Sequence, residues 1–516
     1  MSTRPRRPAA PAPSSSPQRR YRRPRKDPVR LVAHQALRAV QERDAYANLV
    51  LPPLLAKARR AGELDARDAA LATELVYGAL RHQGTYRAVL AACVDRPLDR
   101  VDPPVLDVLV LGAHQLLGTR IPSHAAVSTA VELARSVLGD GRAKFVNAVL
   151  RKVARRSREE WLAEVAPDWD GDPEGHLSVV HSHPRWVVSA LWDALGGDRA
   201  DIEALLAADN QRPEVTLAAR PGRATAADLL REAGAGRGGE GVQEGEGGGG
   251  DDEGENGENG REGENGGGEL AAGRWSPWAV RLAHGDPAAV AAVRDGRAGV
   301  QDEGSQLTAL ALAAAPLDGG PDAHWLDLCA GPGGKAALLA GLAAERGARL
   351  LAAEKQPHRA RLVARALAGT PGPYQVIAAD GTRPPWRPGA FDRVLADVPC
   401  TGLGALRRRP EARWRRRPED LAQLGPLQRA LLRRALEAVR PGGAVAYVTC
   451  SPHLAETRAV VDDVLRRPGA GPVAQRLDAR PLLPGVPALG DGPDVQLWPH
   501  LHGTDAMHLT LLRRIR

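Results

Sequence analysis

Two cysteines stand where thiol chemistry is possible. Cys400 lies in Asp397-Val398-Pro399-Cys400 and Cys450 in Thr449-Cys450-Ser451-Pro452. Each follows a short apolar run, 391–396 and 443–449, that reads as a buried strand. Both thiols then sit at carboxyl ends of strands, with an aspartate three residues ahead of one of them. The chemistry that needs such a set is methylation at carbon-5 of a pyrimidine. That carbon is a poor nucleophile until a thiolate adds to carbon-6, breaks the aromaticity and makes carbon-5 enamine-like. A free thiol titrates near ~8.5, so local cationic or helix N-terminal surroundings must activate it. Asp397 would stabilise the charge developing on the ring. A base, for which the second thiol is placed, must then remove the carbon-5 proton. Cys93 and Cys329, within an apolar helical stretch and a first strand, read as small buried hydrophobes.

A cofactor site precedes this pair. The run 324–329 leads directly into Ala330, Gly331, Pro332, Gly333, Gly334 and Lys335, and a helix follows from Ala336. A glycine-rich strand-to-helix turn lets a ligand approach the backbone and presents N–H groups to it. Glu354, twenty residues beyond Gly334, can accept from both ribose hydroxyls, and Asp380 from an adenine amino group. Ala336 stands where a P-loop requires Ser or Thr, and Cys329 where it requires glycine; the dinucleotide pattern G-x-G-x-x-G is also absent. Asp327, leading the turn, suits a ligand with an ammonium and a sulfonium. S-adenosylmethionine is therefore the expected cofactor.

The elements that must position these groups alternate in type. Strands are predicted at 324–329, 348–353, 374–379, 391–396 and 443–449, with helices between them and two closing strands near 476–483 and 508–515. That rhythm is a doubly wound α/β sheet. From Val29 to about Arg156 the pattern is helical instead. Val105, Leu109, Gly112 and Leu116 trace one face after Asp102 and Pro103, Leu71, Leu75 and Ala79 a second, and Phe145, Val149 and Val153 a third. The expected organisation is a disordered basic tail at 1–28, an all-α domain at 29–160, and a small α+β domain at 161–299 with helices at 184–196 and 199–208. An α/β catalytic domain at 300–516 completes it. Residues 234–269, almost entirely Gly, Glu, Asp and Asn, read as a disordered insert.

Charge is unevenly spread along the 516 residues. The insert holds eleven acidic and two basic side chains, so the remainder of a chain with net charge +8 carries +17. Such an excess favours a polyanion, and nucleic acid is the obvious one. No apolar run reaches the roughly 18 residues a membrane span needs, so no membrane partner is expected. Four cysteines without CxxC spacing form neither a disulfide framework nor a zinc site, which fits a reducing cytoplasm and predicts no metal.

The ordered runs DLCAGPGGK, AAEKQPHR, AADGT, DVPCTGLGALRRRPEARW and YVTCSPHLAET resemble the motif set of the RNA 5-methylcytosine methyltransferases of the RsmB/Sun and Nop type. The segment from Val300 to Gln306 is similar to the one that leads into their catalytic domain. Upstream, RDAALATELVYGALRH, PVLDVLVLGAHQLL, IPSHAAVSTAVELAR and KFVNAVLRKVAR resemble the NusB-like RNA-binding domain. The resemblance implies a NusB-like all-α domain, a small α+β linker domain and a Rossmann-like methyltransferase domain acting on 16S ribosomal RNA as a monomer. It assigns nucleophilic attack to Cys450 and product release to Cys400. It carries cofactor contacts onto Cys329 and the turn, Lys335, Glu354, Arg359, Asp380 and Asp397. Departures occur at Leu217-Ala218-Ala219-Arg220 and at Asp505-Ala506-Met507-His508, where the family often has L-R-V-N and D-G-F-F.

After Cys400 comes a run dense in arginine, with Trp414 inside it. Arginine pairs with phosphate and tryptophan offers a stacking surface. Arg407, Arg408, Arg409, Arg413 and Trp414 are accordingly expected to bind RNA, along with Arg415, Arg416 and Arg417. Transfer RNA as substrate, or a non-catalytic RNA-binding scaffold, stay open as alternatives.

Overall fold

The computed structural model describes residues 27–235, 269–466 and 471–516. The expected disorder of the basic tail and of the acidic insert falls almost wholly outside these residues. Pro28, assigned from sequence to the tail, instead begins the first helix: Asp27 accepts from the Arg30 amide, and Pro28 occupies a first-turn position where no N–H is needed.

Seven helices form the N-terminal domain: α1 (Pro28–Arg43), α2 (Ala47–Arg60), α3 (Ala66–Arg81), α4 (Gln83–Cys93), α5 (Pro103–Leu117), α6 (Ser123–Leu138) and α7 (Asp140–Val153). Their core contains Leu75, Ala79, Val105, Leu109, Val149 and Val153 from the three predicted stripes, with Leu71, Leu116 and Phe145 on its margin. Each buried Leu or Val side chain contributes about 1.5–3 kcal/mol relative to exposure.

The segment expected as one α+β unit begins as four helices, α8 (Arg158–Val165), α9 (Pro173–Val180), α10 (Arg185–Ala194) and α11 (Arg199–Asp209). Their apolar faces do not close on themselves. Val187, Leu191, Leu205 and Leu206 pack with Leu403, Leu406 and Trp498, so this layer is a bridge to the catalytic domain. Strands follow only from β1 (Val215–Ala219), joined by β2 (Leu270–Ala272), β3 (Ala279–Leu282) and β4 (Ala298–Val300) in an antiparallel sheet of order β2-β3-β1-β4.

The catalytic sheet comprises β5 (His324–Asp327), β6 (Arg349–Glu354), β7 (Tyr374–Ala378), β8 (Phe391–Asp397), β9 (Val439–Thr449), β10 (Ala474–Leu477), β11 (Val495–Gln496) and β12 (His508–Arg514). Its order is β10-β12-β9-β8-β5-β6-β7, with β11 paired to β12. Strands β5 to β9 are parallel, and β12 runs antiparallel beside β9. The chain builds outward from β5 to β7 and then restarts at β8 on the other side of β5. That reversal opens a crevice at the carboxyl ends of β5 and β8, where open α/β sheets bind ligands. The strand predicted at 476–483 is shorter. It stops at Leu477, and a 3-10 turn at Arg480–Leu482 replaces the rest, because Pro481 cannot donate to the ladder.

The arginine run corrects an expectation. Arg413 has no exposed surface. Its guanidinium donates to the carbonyls of Arg81, Ser182 and Asp209 and to the Asn210 side chain, at 2.7–3.3 Å. Arg407 is buried and donates to the Gly503 carbonyl at 3.0 Å. Arg415 donates to the Val40, Asp44 and Ala45 carbonyls. Trp414 lies against Gly84 at the start of α4, where a Cβ would meet its ring at 2.6 Å. Arg413, Arg415 and Trp414 therefore fasten the helical layers to the catalytic domain, whereas Arg407 ties two segments within that domain. The terminal guanidinium nitrogens of Arg407, Arg413 and Arg415 supply donors to main-chain carbonyls.

Replacing Arg413 with Ala should leave those carbonyls and the Asn210 side-chain oxygen without this donor and cost about 3–5 kcal/mol. Thermal denaturation of the full chain tests it, and an unchanged Tm would contradict the rivet role.

Candidate active site

Asp327, Asp397, Cys400 and Cys450 reach one cavity of about 770 Å³ because β5, β8 and β9 are neighbours that all end at the same edge. The glycine turn forms one wall. Gly333 takes a φ of 116°, which glycine alone adopts without strain, and starts the helix Gly334–Glu345. At Gly331 a Cβ would lie 2.2 Å from the Glu354 carboxylate, so this close approach requires glycine. Glu354 accepts from the Gly331 and Gln356 amides at 3.2 and 2.9 Å. Arg359 completes the clamp, donating to the Gly331 carbonyl at 2.7 Å and lying 3.5 Å from the Glu354 carboxylate. Asp380 accepts from Lys355 and Thr382, and these partners, Lys355 first, draw its carboxyl down to about 2. Cys329, Ala330, Pro332 and Gly334 also line the cavity.

The floor holds an unusual carboxyl. Asp327 is 1% exposed; one oxygen accepts weakly from the Cys329 amide, while the other, Oδ2, has no partner among the described residues. Burial, reinforced by the like charge of Asp397, raises its pKa to about 8. Asp397 itself is held by Lys335, whose Nζ donates to Oδ2 at 2.9 Å. Burial works against the Lys335 ammonium, but the Asp397 carboxylate outweighs it and the lysine titrates above its ordinary value.

The two thiols touch, with 3.4 Å between Cys400 Sγ and Cys450 Sγ. Their contact divides one proton unequally. A hydrogen bond from Cys400 draws Cys450 below the usual thiol range, against the effect of burial, and Lys335 adds to it. The same bond, with burial, pushes Cys400 well above that range. Of the two thiols, Cys450 is therefore the one that gives up its proton more readily. Cys329 and Cys93 are both raised by burial, so neither is activated.

What fixes the thiols is a residue that sequence reasoning left unassigned. Glu456 is fully buried. It accepts from the Thr401 amide at 2.8 Å, from the Thr401 hydroxyl, from the Ser451 hydroxyl at 2.6 Å and from Gln428 at 3.0 Å. Thr401 follows one cysteine and Ser451 the other, so a single carboxylate holds both loops. Gln428 also donates to the Pro399 carbonyl at 2.9 Å. The Gly404 amide donates to the Cys450 carbonyl at 2.9 Å, closing the same turn. The signal available in the sequence was Glu456 itself, six residues after Cys450 in a run otherwise read for its cysteine.

Other lining residues come from farther away. Arg408 bridges Asp302 at 2.6 Å and Asp505 at 2.9 Å, and so joins three separate segments rather than facing outward. Burial raises the Asp505 carboxyl to about 6, against the pull of Arg408. Arg220, noted above only as a departure, lines the cavity and donates to the Ala366 carbonyl. Of the eight residues expected to bind RNA, Arg409 alone is exposed while also lining the cavity.

Comparison with known proteins gives two family matches, "16S rRNA methyltransferase RsmB/F" over residues 314–513 and "NusB family" over residues 27–155. The chain is 52% identical to the putative methyltransferase Rv1407 of Mycobacterium tuberculosis, over 96% of this chain and 99% of that protein. It is 30% identical to the probable ribosomal RNA small subunit methyltransferase B of Bacillus subtilis, covering 95% and 99% of the two. The corresponding figure for ribosomal RNA small subunit methyltransferase B of Pseudomonas putida is 31%, covering 86% and 90%. Among solved structures, PH0851 shares the fold, with a TM-score of 0.71 at 20% identity over 95% of this chain and 99% of that one.

Glu456→Ala removes the acceptor for four donors and should destabilise the protein by about 3 kcal/mol or more in chemical denaturation. It should also raise the pH midpoint for alkylation of Cys450, because Cys400 is no longer held against it. Unchanged stability together with an unchanged alkylation profile would contradict the assignment.

Proposed function

We propose, from the premise that this chain belongs to the RsmB/F family of 16S rRNA methyltransferases, that it methylates carbon-5 of a cytosine in 16S ribosomal RNA through a covalent bond to Cys450. The family is one of S-adenosylmethionine-dependent RNA methyltransferases. The choice of atom and the covalent route rest on one observation, the 3.4 Å contact at the cavity edge between two thiols, one drawn below and one pushed above the usual thiol range.

The residues present fit the cofactor. Asp327 Oδ2 is a buried acceptor without a donor among the described residues, suited to an ammonium or sulfonium. Glu354 offers a carboxylate to ribose hydroxyls, Asp380 offers one to an adenine amino group, and Lys335, Arg359 and the glycine turn complete the wall. When bound, S-adenosylmethionine supplies an electrophilic methyl group.

The chain's own residues carry the protons and the electron pairs. Cys450 thiolate adds to carbon-6 of the cytosine. As negative charge develops, Cys400 gives its proton to the ring at nitrogen-3, and the Asp397 carboxylate accepts a hydrogen bond from the N–H so formed. Carbon-5, now enamine-like, takes the methyl group. Cys400, left as a thiolate of high proton affinity, accepts the carbon-5 proton. The carbon-6–sulfur bond then breaks, its electron pair returns to Cys450, and the extra ring proton passes to solvent. One methyl group is transferred and one proton released in each cycle.

A denaturing gel separates the roles. Cys400→Ala should accumulate an RNA–protein adduct after incubation with 16S ribosomal RNA and cofactor, whereas Cys450→Ala should form none and lose at least ~10³-fold of activity. Adduct in the Cys450 variant, or none in the Cys400 variant, would reverse or remove the assignment.

Asp327 predicts a pH dependence. With its carboxyl raised to about 8, the group is neutral at lower pH and pairs with a cationic ligand only after losing its proton. Cofactor affinity should therefore rise with pH toward about 8, by up to tenfold per unit, and then level. The cofactor-free fold shows the opposite trend, losing the stability tied to that proton as pH climbs from the ordinary carboxylate range through about 8. Calorimetric titration across this range tests it. Asp327→Asn should bind weakly with a flat profile, and a wild-type profile that is already flat would contradict the role.

A further inference from the structure

The cavity that holds the thiols is not built by the catalytic domain alone. Tyr46 and Asn48, from the junction of α1 and α2 in the N-terminal domain, line it together with Arg409 and Arg416. Their placement is enforced. Arg415 donates to three carbonyls of the α1–α2 junction, and Glu411 accepts from the Ala47 amide at 3.1 Å. The Tyr46 ring is half-buried, with the guanidinium carbons of Arg409 and Arg415 at 5.2 and 5.4 Å from its centroid. Arg415 is committed to the backbone, whereas Arg409 is exposed and has no carboxylate or carbonyl partner among the described residues. The Asn48 side chain is likewise exposed and makes no hydrogen bond there.

Flat, cationic and uncommitted groups at the mouth of a cavity suit a nucleobase. A cytosine that enters the cavity must leave its stack, which strips its neighbour of one stacking face. Aromatic rings and guanidinium planes restore such a face without requiring a particular base, and an amide beside them can read a base edge. We infer that Tyr46 and Arg409 form a stacking platform, with Asn48 at its rim, for the nucleobase next to the target in the same RNA strand. The N-terminal domain then completes the substrate site, and RNA must span both domains to be held. This rests on the reading of the chain as a cytosine-5 RNA methyltransferase and specifies which groups meet its substrate.

The test uses the full chain and a 16S ribosomal RNA transcript carrying 4-thiouridine, without methyl donor so that chemistry does not contribute. Near-ultraviolet irradiation of the wild type should cross-link the peptide containing Tyr46 and Asn48 to a 4-thiouridine placed next to the target cytosine. Tyr46→Ala and Arg409→Ala should each weaken RNA binding by roughly tenfold or more, with S-adenosylmethionine affinity unchanged, while Tyr46→Phe binds as the wild type does. Arg409 is exposed, so its variant stays informative even if Tyr46→Ala folds poorly. Wild-type RNA affinity in the Ala variants, with cross-links confined to other peptides, would overturn the platform. Formation of 5-methylcytosine by the wild type is scored separately. Platform-dependent binding without that product would leave the platform standing and refute the cytosine-5 reading, and the converse would do the reverse.

Discussion

A buried carboxylate with four donors around it is the constraint on which the active site depends. Glu456 grips the residue after each cysteine, so the loops that leave β8 and β9 cannot move apart independently. Parallel strands bring the two chain segments to the same edge of the sheet, but adjacency of strands fixes backbones only to the spacing of the ladder. The 3.4 Å between sulfurs, and with it the unequal sharing of a proton, requires the loops themselves to be pinned. The network also carries a large penalty for partial disruption, since each donor freed from Glu456 would remain in a water-excluded interior.

Positive charge has two separate uses in this molecule. An arginine-rich run beside a cavity-lining cysteine suggests nucleic-acid contact, yet most of it turns inward. Arg413 and Arg407 saturate carbonyls, and Arg408 is bracketed by Asp302 and Asp505. Arg413 thereby joins the N-terminal helices and the layer that follows them to the catalytic domain, while Arg407 and Arg408 tie together segments beside the cavity. Arginine suits the task because its planar fork of five donors can serve several carbonyls at once. Arg409 and Arg416 remain at the cavity mouth.

The sheet and its ligand edge were legible in the sequence because strand runs, glycine turn and acidic strand ends follow local rules of period and turn chemistry. Cys400, Cys450, Asp327, Glu354, Asp380 and Asp397 all converge on the cavity that those rules locate. Long-range pairing was not legible. Arg413 and Arg409 stand four residues apart in the same run, and nothing local distinguishes a rivet from an exposed cation. Nor does Tyr46, more than 350 residues before Cys400, carry any sign that it reaches the cavity. The packing of the region from Trp161 was not legible for a related reason: α9–α11 bury their apolar faces against Leu403, Leu406 and Trp498, partners that periodicity cannot name.

The central claim is that sulfur at position 450, and not at 400, bonds to carbon-6 of the target ring. A 16S ribosomal RNA transcript containing 5-fluorocytidine tests it directly in the unaltered protein, because fluorine at carbon-5 leaves no proton to remove and halts the cycle at the methylated adduct. Peptide mass spectrometry of the trapped complex should place a methylated fluorocytidine on Cys450. Attachment to Cys400, or failure to trap any adduct while unsubstituted RNA is methylated normally, would contradict the account.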